Sequence, residues 1–331
     1  MKHVNVALFV VHKGCPHTCS FCNQRTITGY QKELCPDDVH SAVKVALSSL
    51  DREKAAGGEI AFFGGSFTMV DRDYMISLLE AAYTYIEAGL FSGIRISTRP
   101  DGISEEICPI LKKYGVTAVE LGAQSLDDRV LELNERGHTE KQTNDAVAML
   151  KAYGFETGLQ MMTGLYGSGD DDSIETAKKI IALRPATVRI YPTVVLEGTR
   201  LCELMRKGEF IPKGVEESVE LCSKLIPMFE NEGIRVIRVG LHSGGDVESG
   251  FAGGAYHPAL RELCEGRIYR DAAFRELITL PCGEYTLAVG RGNRSKMTGQ
   301  RKANLEFFRD RGYICTVTEE DGIEKYKVRI R

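Results

Sequence analysis

Short apolar runs alternate with amphipathic stretches over the first two thirds of the chain. The apolar runs predict buried strands at Val4–Val11, Glu59–Phe63, Ile94–Thr98, Val116–Leu121, Glu156–Met161 and Thr187–Tyr191. Between them, helical spacing covers Asp37–Leu50, Asp71–Ala88, Ser104–Tyr114, Thr139–Tyr153 and Ser173–Leu183. Asp37, Asp38, Glu105, Glu106 and Asp172 fall near helix starts, where negative charge complements the helix dipole. Gly115 and Gly154 follow helices and suit the left-handed position just past a last turn. Continuous apolar strands in six strand–helix units predict a parallel sheet with helices outside it. Two further helices, Leu201–Lys207 and Val215–Glu232, and one more strand, Arg235–Gly240, follow. A full eight-stranded barrel would need two more clear units. The expected fold is therefore α/β: a partial (β/α)6 TIM-like barrel over residues 1–240, with a small α+β C-terminal extension over residues 241–331.

Composition narrows the class. At 43% hydrophobic and 27% charged, the 331 residues are those of an ordinary globular protein with room for a large core. A net charge of −4 excludes a chain-wide basic field of the kind that attracts nucleic acid. Ten cysteines without a secretory leader point to a reducing, cytoplasmic setting rather than a disulfide scaffold. The run Val6–Val11 is too short to span a bilayer, so no membrane partner is expected.

Three of those cysteines carry the chemistry. Gly14-Cys15-Pro16-His17-Thr18-Cys19-Ser20-Phe21-Cys22-Asn23 is a C-x3-C-x2-C triad directly after the first strand. Three thiolates on one short loop can ligate three irons of a 4Fe-4S cube, leaving the fourth iron free for a substrate or cofactor. Two alternatives stand beside this: a zinc site completed by His12 or His17, or buried thiols without metal. Cys35, Cys108, Cys202, Cys222, Cys264, Cys282 and Cys315 are scattered without motif spacing and read as structural.

In βα architectures ligand sites gather at the C-terminal ends of strands, where the triad lies. The other strand ends carry suitable groups. The second runs into Gly64-Gly65-Ser66-Phe67, where paired glycines let backbone approach a ligand closely. The third ends in Ser97-Thr98-Arg99-Pro100-Asp101, the fourth in Glu120-Leu121-Gly122-Ala123-Gln124-Ser125, and the fifth leads into the glycine-rich turn Gln160-Met161-Met162-Thr163-Gly164-Leu165-Tyr166-Gly167. Arg136, in Arg136-Gly137-His138, suits a carboxylate. Helix caps and loop salt bridges are the competing explanation for any one of these residues. Met161 and Met162 read as core. Near the C-terminus, Arg291, Arg294, Lys296, Arg301, Lys302, Arg309 and Arg311 form a local basic cluster, either a solvated helix face or a phosphate-binding footprint. Phe307, Phe308 and Tyr313 beside it read as core. The glycine-rich stretch 241–256 reads as a lid, a binding loop or a mere connector, and His257 as a cap or packing residue.

Together these segments resemble the Elongator catalytic-subunit family and its stand-alone bacterial relatives, within the radical S-adenosylmethionine (SAM) superfamily. Arg189-Ile190-Tyr191-Pro192-Thr193 and Arg235-Val236-Ile237-Arg238 extend the resemblance over roughly residues 5–265. It implies a 4Fe-4S cluster on Cys15, Cys19 and Cys22 and S-adenosyl-L-methionine as cofactor. In that family SAM is cleaved reductively to a 5′-deoxyadenosyl radical that takes hydrogen from a substrate. Carried over, Phe21 lies beside the adenine, and Gly64, Gly65 and Ser66 meet the methionine end with Thr98 and Arg99 nearby. Gln124 and Arg136 meet ribose or carboxylate. Tyr191 and Arg189 face the substrate as candidate catalytic residues.

The departures bear on substrate. The first two cysteines are much closer together than in the Elongator enzyme, and Arg189 stands where it has lysine. The roughly 90 residues after Gly240 are too few for its acetyltransferase domain. Handling of acetyl-CoA is not expected on those grounds. The expectation is a tRNA-modifying enzyme served by ferredoxin or flavodoxin, with the basic cluster holding tRNA. A small-metabolite enzyme like coproporphyrinogen III oxidase, or a non-catalytic iron–sulfur RNA-binding protein, are the alternatives.

Overall fold

The computed structural model describes residues 4–10, 14–16, 18–23, 32–241 and 247–331, without the Arg52 side chain. His12, His17 and residues 242–246 lie outside the described residues. Six strands follow one another: β1 (Asn5–Val10), β2 (Glu59–Gly64), β3 (Gly93–Thr98), β4 (Val116–Gln124), β5 (Glu156–Thr163) and β6 (Thr187–Pro192). After the short β7 (Val194–Leu196) comes β8 (Arg235–Val239). They form one parallel sheet in the order β1-β2-β3-β4-β5-β6-β8, curled into a half-barrel with helices outside.

The helices form where the spacing predicts, and their caps are visible. Thr139 accepts from the Gln142 amide while the Gln142 side chain accepts from the Thr139 amide, satisfying two free N–H groups of the helix Glu140–Ala152. Asp71 caps Arg72–Glu87 in the same sense through the Tyr74 amide. Two short helices, Arg52–Ala56 and Asp128–Leu133, escape the periodicity argument because five or six residues scarcely complete a turn pattern.

The sheet departs from the expected apolar strands on its inner face. Outward residues such as Val6, Leu8, Ile60, Phe62, Ile94, Ile96, Val119 and Leu121 are buried in one core with the surrounding helices. Inward residues two positions apart are charged. Arg95, 4% exposed, donates to Glu59 at 2.6 Å and Glu156 at 2.9 Å, and lies 3.4 Å from Glu120. Glu120, 1% exposed, takes two bonds from Arg189, at 2.5 and 2.8 Å, and one from Gln160 at 3.2 Å. Charges so buried persist only when paired, because the lost hydration must be replaced by partners. Arginines and carboxylates from five strands supply those partners at the barrel's base.

Past β8, β9 (Phe251–Gly254) pairs antiparallel with β7, so part of the predicted loop is a small two-stranded sheet. His257 accepts from the Ala259 amide at the start of the helix Leu260–Leu277, a capping contact. The C-terminal sheet holds β10 (Gly283–Gly290) between parallel β11 (Tyr313–Glu320) and antiparallel β12 (Arg329–Ile330). Its own apolar core includes Tyr269, Leu277, Leu287, Met297, Phe308 and Tyr313. The helix Leu260–Leu277 serves both cores, giving Leu260 and Cys264 to the barrel and Tyr269 and Leu277 to the extension. No helix among the described residues is long and apolar enough to cross a membrane.

Candidate active site

A cavity of about 530 Å³ opens at the C-terminal ends of the barrel strands, within the range usual for small-molecule sites. Cys15, Cys19 and Cys22 all line it. Their loop is seated by close backbone approach. Gly14, at φ +75°, presses on the Ser66 carbonyl and the Met69–Val70 peptide, where a Cβ would overlap. Across it, the Gly65 amide donates to the Val10 carbonyl at 2.7 Å, and a Cβ on Gly64 would come within 2.8 Å of that oxygen. The glycines therefore bring the first two strand ends into contact, as only residues without a side chain can. Farther along the loop, Ser20 donates to the Asn134 side chain at 2.8 Å and its carbonyl accepts from the Leu201 amide at 2.7 Å.

Phe21, Gly64, Gly65, Thr98, Arg99, Gln124 and Arg136 all reach the same cavity. Ser66 does not. Its hydroxyl is wholly buried, pairs with Thr98 at 2.8 Å and accepts from the Arg99 amide at 3.2 Å. Its backbone, by contrast, bonds Cys15. Gln124 holds φ +65° at the β4–β5 bulge, an unusual conformation for a residue with a side chain. Of the two methionines, Met161 is core as expected, but Met162 lines the cavity, because neighbours on a strand face opposite sides.

Four arginines line the cavity, with no Asp or Glu among the described lining residues. Arg136 donates to the Cys19 sulfur at 3.1 Å and to the Gly122 carbonyl at 2.5 Å. Arg99 is clamped by both oxygens of Asp101, at 2.8 and 2.9 Å. Burial opposes the Arg99 charge, but Asp101 and the cysteines outweigh it and raise its pKa. Burial, then Cys19, pushes the Cys15 thiol above its ordinary pKa, against Arg136 and Arg99. Beside them His138 is pushed down to about 3 by burial and by Arg136 and Arg99, so it is neutral at pH 7. On the far wall stand Arg189, Tyr191, Gln160 and Arg238. Burial opposes the Arg189 charge too, but Tyr191 and Glu120 raise its pKa on balance. Glu120, Gln160 and Arg238 lie in segments that the sequence singles out, but which of their side chains turn inward depends on strand pairing.

A half-barrel with three thiols after its first strand defines a family, and the comparisons agree. Residues 9–180 match the Radical SAM superfamily, and residues 185–270 match the Radical_SAM C-terminal domain. The chain belongs to the radical SAM superfamily. Within it, the chain is homologous to the tRNA uridine(34) acetyltransferase of Methanocaldococcus infernus, 39% identical over 131 residues, which are 39% of this chain and 24% of the relative. Elongator complex protein 3 from Homo sapiens is 30% identical over 245 residues, 66% of this chain and 44% of that protein. The chain thus spans less than half the length of either. The solved archaeal M. infernus Elp3 with its N-terminus (1–46) deleted shares the fold, with a TM-score of 0.64 at 24% identity over 85% of this chain and 65% of that one.

Membership implies a 4Fe-4S cluster and SAM, and the residues present fit both. The donor set is three thiols on one wall, and Arg136 already donates to one sulfur. Among the described residues no three His, Cys, Asp or Glu side chains are grouped closely enough to hold a metal ion. Arg99 Nη1, Gln124 Oε1 and Arg136 Nε are buried at this wall without hydrogen-bond partners among the described residues. Buried polar atoms rarely stay unpaired, so these three await an occupant with both acceptors and donors. Of the other cysteines, Cys108, Cys202, Cys222 and Cys264 are buried, as structural thiols should be, whereas Cys282 is exposed.

Proposed function

We propose that this protein is a radical SAM enzyme that modifies a tRNA base. The observation that carries the enzymatic reading is the meeting, in one cavity, of three thiols, four arginines and three polar atoms that have no partner among the described residues. When bound, the cluster and SAM supply a carbon radical able to take hydrogen from an unactivated position. The chain's own residues bind and orient. Cys15, Cys19 and Cys22 hold the cluster, with Arg136 donating to the Cys19 sulfur. Gly64 and Gly65 offer backbone to the methionine end, Arg99 its spare N–H, and Gln124 its free carbonyl oxygen. Phe21, Val194, Leu196 and Leu241 give the cavity an apolar side that excludes water. Tyr191 faces the substrate, and Arg189 is held beside it by Glu120.

The tRNA half rests on the homologous relatives and on the C-terminal surface. There the basic cluster is narrower than its sequence. Lys296 is bound to Glu265 at 2.6 Å, Arg291 to Asp321 at 2.6 Å, and Arg311 lies over the Phe307 ring at 3.7 Å. Arg294, Arg301, Lys302 and Arg309 are exposed, without an acidic partner among the described residues, and are the groups free for phosphate. A ferredoxin or flavodoxin supplies the electron.

The test is anaerobic. Protein reconstituted with iron and sulfide, given SAM and dithionite, should form 5′-deoxyadenosine, and more of it with a responsive tRNA pool. An intact cluster that neither binds SAM nor forms product would defeat the enzymatic reading. An increase with small metabolites but never with tRNA would defeat the substrate.

A further inference from the structure

Three of the cavity's four arginines have their acceptors: Arg99 in Asp101, Arg136 in the Cys19 sulfur and the Gly122 carbonyl, Arg189 in Glu120. Arg238 is different. Its Nε donates to the Gly240 carbonyl at 3.0 Å, and neither Nη atom has an acceptor among the described residues. It is half-buried and makes no ion pair there, with Glu262 only a minor influence. Burial lowers its pKa; Tyr191 opposes this, and Arg189 lowers it further.

The backbone goes out of its way to put Arg238 there. Val188 of β6 pairs with Val236 of β8, but the next residue, Arg189, pairs with Arg238. The skipped Ile237 is left 37% exposed. Uninterrupted register would set Ile237 beside Arg189. Irregularities of this kind re-aim side chains next to functional sites. Two like charges side by side on neighbouring strands repel, and Glu120 is already engaged by Arg189. The juxtaposition is relieved when an anion sits between Arg238 and the cavity.

We propose that Arg238, together with the Tyr191 hydroxyl, is a binding subsite for one anionic group, a carboxylate or a phosphate, of the molecule the enzyme transforms. This deepens the functional reading above and rests on it only in taking this cavity as the place of reaction. The planar guanidinium can grip either anion through paired N–H groups. SAM's own carboxylate is the wrong occupant. The free polar atoms suited to SAM lie at the ends of β3 and β4 and on Arg136, and β8 is three strands beyond β4, about 14 Å at the usual strand spacing.

The experiment measures binding to the iron–sulfur-reconstituted protein with SAM and no reductant, at fixed ionic strength. The probes are uridine 5′-monophosphate, uridine and malonate. At least one anionic probe should bind, and Arg238→Gln should weaken it at least tenfold. Arg238→Lys should recover part of the loss, and Arg235→Gln, an exposed arginine on the same strand, should change nothing. Preference for the monophosphate over both uridine and malonate assigns the anion to a nucleotide phosphate. Binding of malonate alone assigns it to a small acid. The proposal is overturned if no anionic probe depends on Arg238, or if Arg238→Gln weakens SAM itself as much as the probe. Melting temperature and iron content report folding. Should Arg238→Gln fail to fold, Tyr191→Phe replaces it, with a loss of about threefold expected and none overturning the subsite. Deoxyadenosine formation, measured separately with dithionite, reports on the enzymatic reading, so the two can fail independently.

Discussion

On the β1–β4 side of the cavity, the polar groups come from residues at or just beyond strand ends: Cys15 to Cys22, Gly64 with Gly65, Thr98 with Arg99, and Gly122 with Gln124. On the β5–β8 side they come from alternate positions inside strands: Gln160 and Met162, Arg189 and Tyr191, then Arg238. The first wall is a set of loops and last strand residues whose backbone conformation is special, with Gly14, Gly64 and Gln124 all at positive φ. The second is sheet with a register shift at Val188 and Arg189, and Arg189 is tied across to Glu120 of β4, which in turn meets Arg95 of β3. The difference suits the work proposed for each. A cofactor common to a superfamily can be met by loop motifs, whereas substrate-facing groups are set by which side chains a strand turns inward.

The largest break in that comparison comes from the loop wall. Replacing Cys15, Cys19 and Cys22 together by alanine should abolish iron binding and lower deoxyadenosine formation at least a hundredfold, while the denaturation midpoint of the apoprotein hardly moves. Retained product would remove the cysteines from the site.

The sheet wall should behave in the opposite way. Glu120→Leu leaves Arg189 without its carboxylate in a nearly dry interior and should cost about 3–5 kcal/mol of stability. Glu120→Leu with Arg189→Leu should recover part of this, because Arg95 keeps Glu59 and Glu156. Urea titration of the two variants decides, and equal losses would show that Arg189 is not the group left stranded.

His138 sharpens the contrast through pH. Its folded pKa of about 3 lies below the ordinary 6.5, so below pH 6.5 the unfolded chain takes up a proton that the folded chain refuses. Its stabilisation is complete above pH 6.5 and is lost as pH falls towards 3, by about 1.4 kcal/mol per unit. His138→Leu should flatten that part of the stability profile relative to the native protein. An unchanged slope would mean the imidazole is protonated in the fold.

The smallest effect on stability belongs to the C-terminal surface. Arg301→Glu with Lys302→Glu should shift stability by less than about 0.5 kcal/mol, as exposed substitutions do. If these residues contact phosphate, the salt dependence of tRNA affinity should lose about 2 in slope. An unaltered slope would place RNA elsewhere or nowhere.

Much of the frame was legible because its signals are local. The six strands, the later strand at Arg235 and the seven helices fall within a few residues of expectation, since periodicity, caps and terminal glycines act over one or two turns. The cysteine loop and paired glycines were legible for the same reason. β7 and β9 were not, being three and four residues long and stabilised only by each other. That the Ser66 hydroxyl pairs with Thr98 was not legible either, because Thr98 stands on a different strand.

By itself the sequence determined the alternation of strands and helices, the position of the thiols after the first strand, and hence the class of chemistry. Only the tertiary structure decided that Arg95, Glu120 and Arg189 share one buried charge network and that Arg238 faces the cavity. The physical reason is register. Side chains alternate every residue along a strand, so which face is inward depends on pairing with a neighbour far away in sequence, and a shift of one residue reverses it. At Val188 and Arg189 that shift occurs, and it sets an arginine where unbroken pairing would have set Ile237.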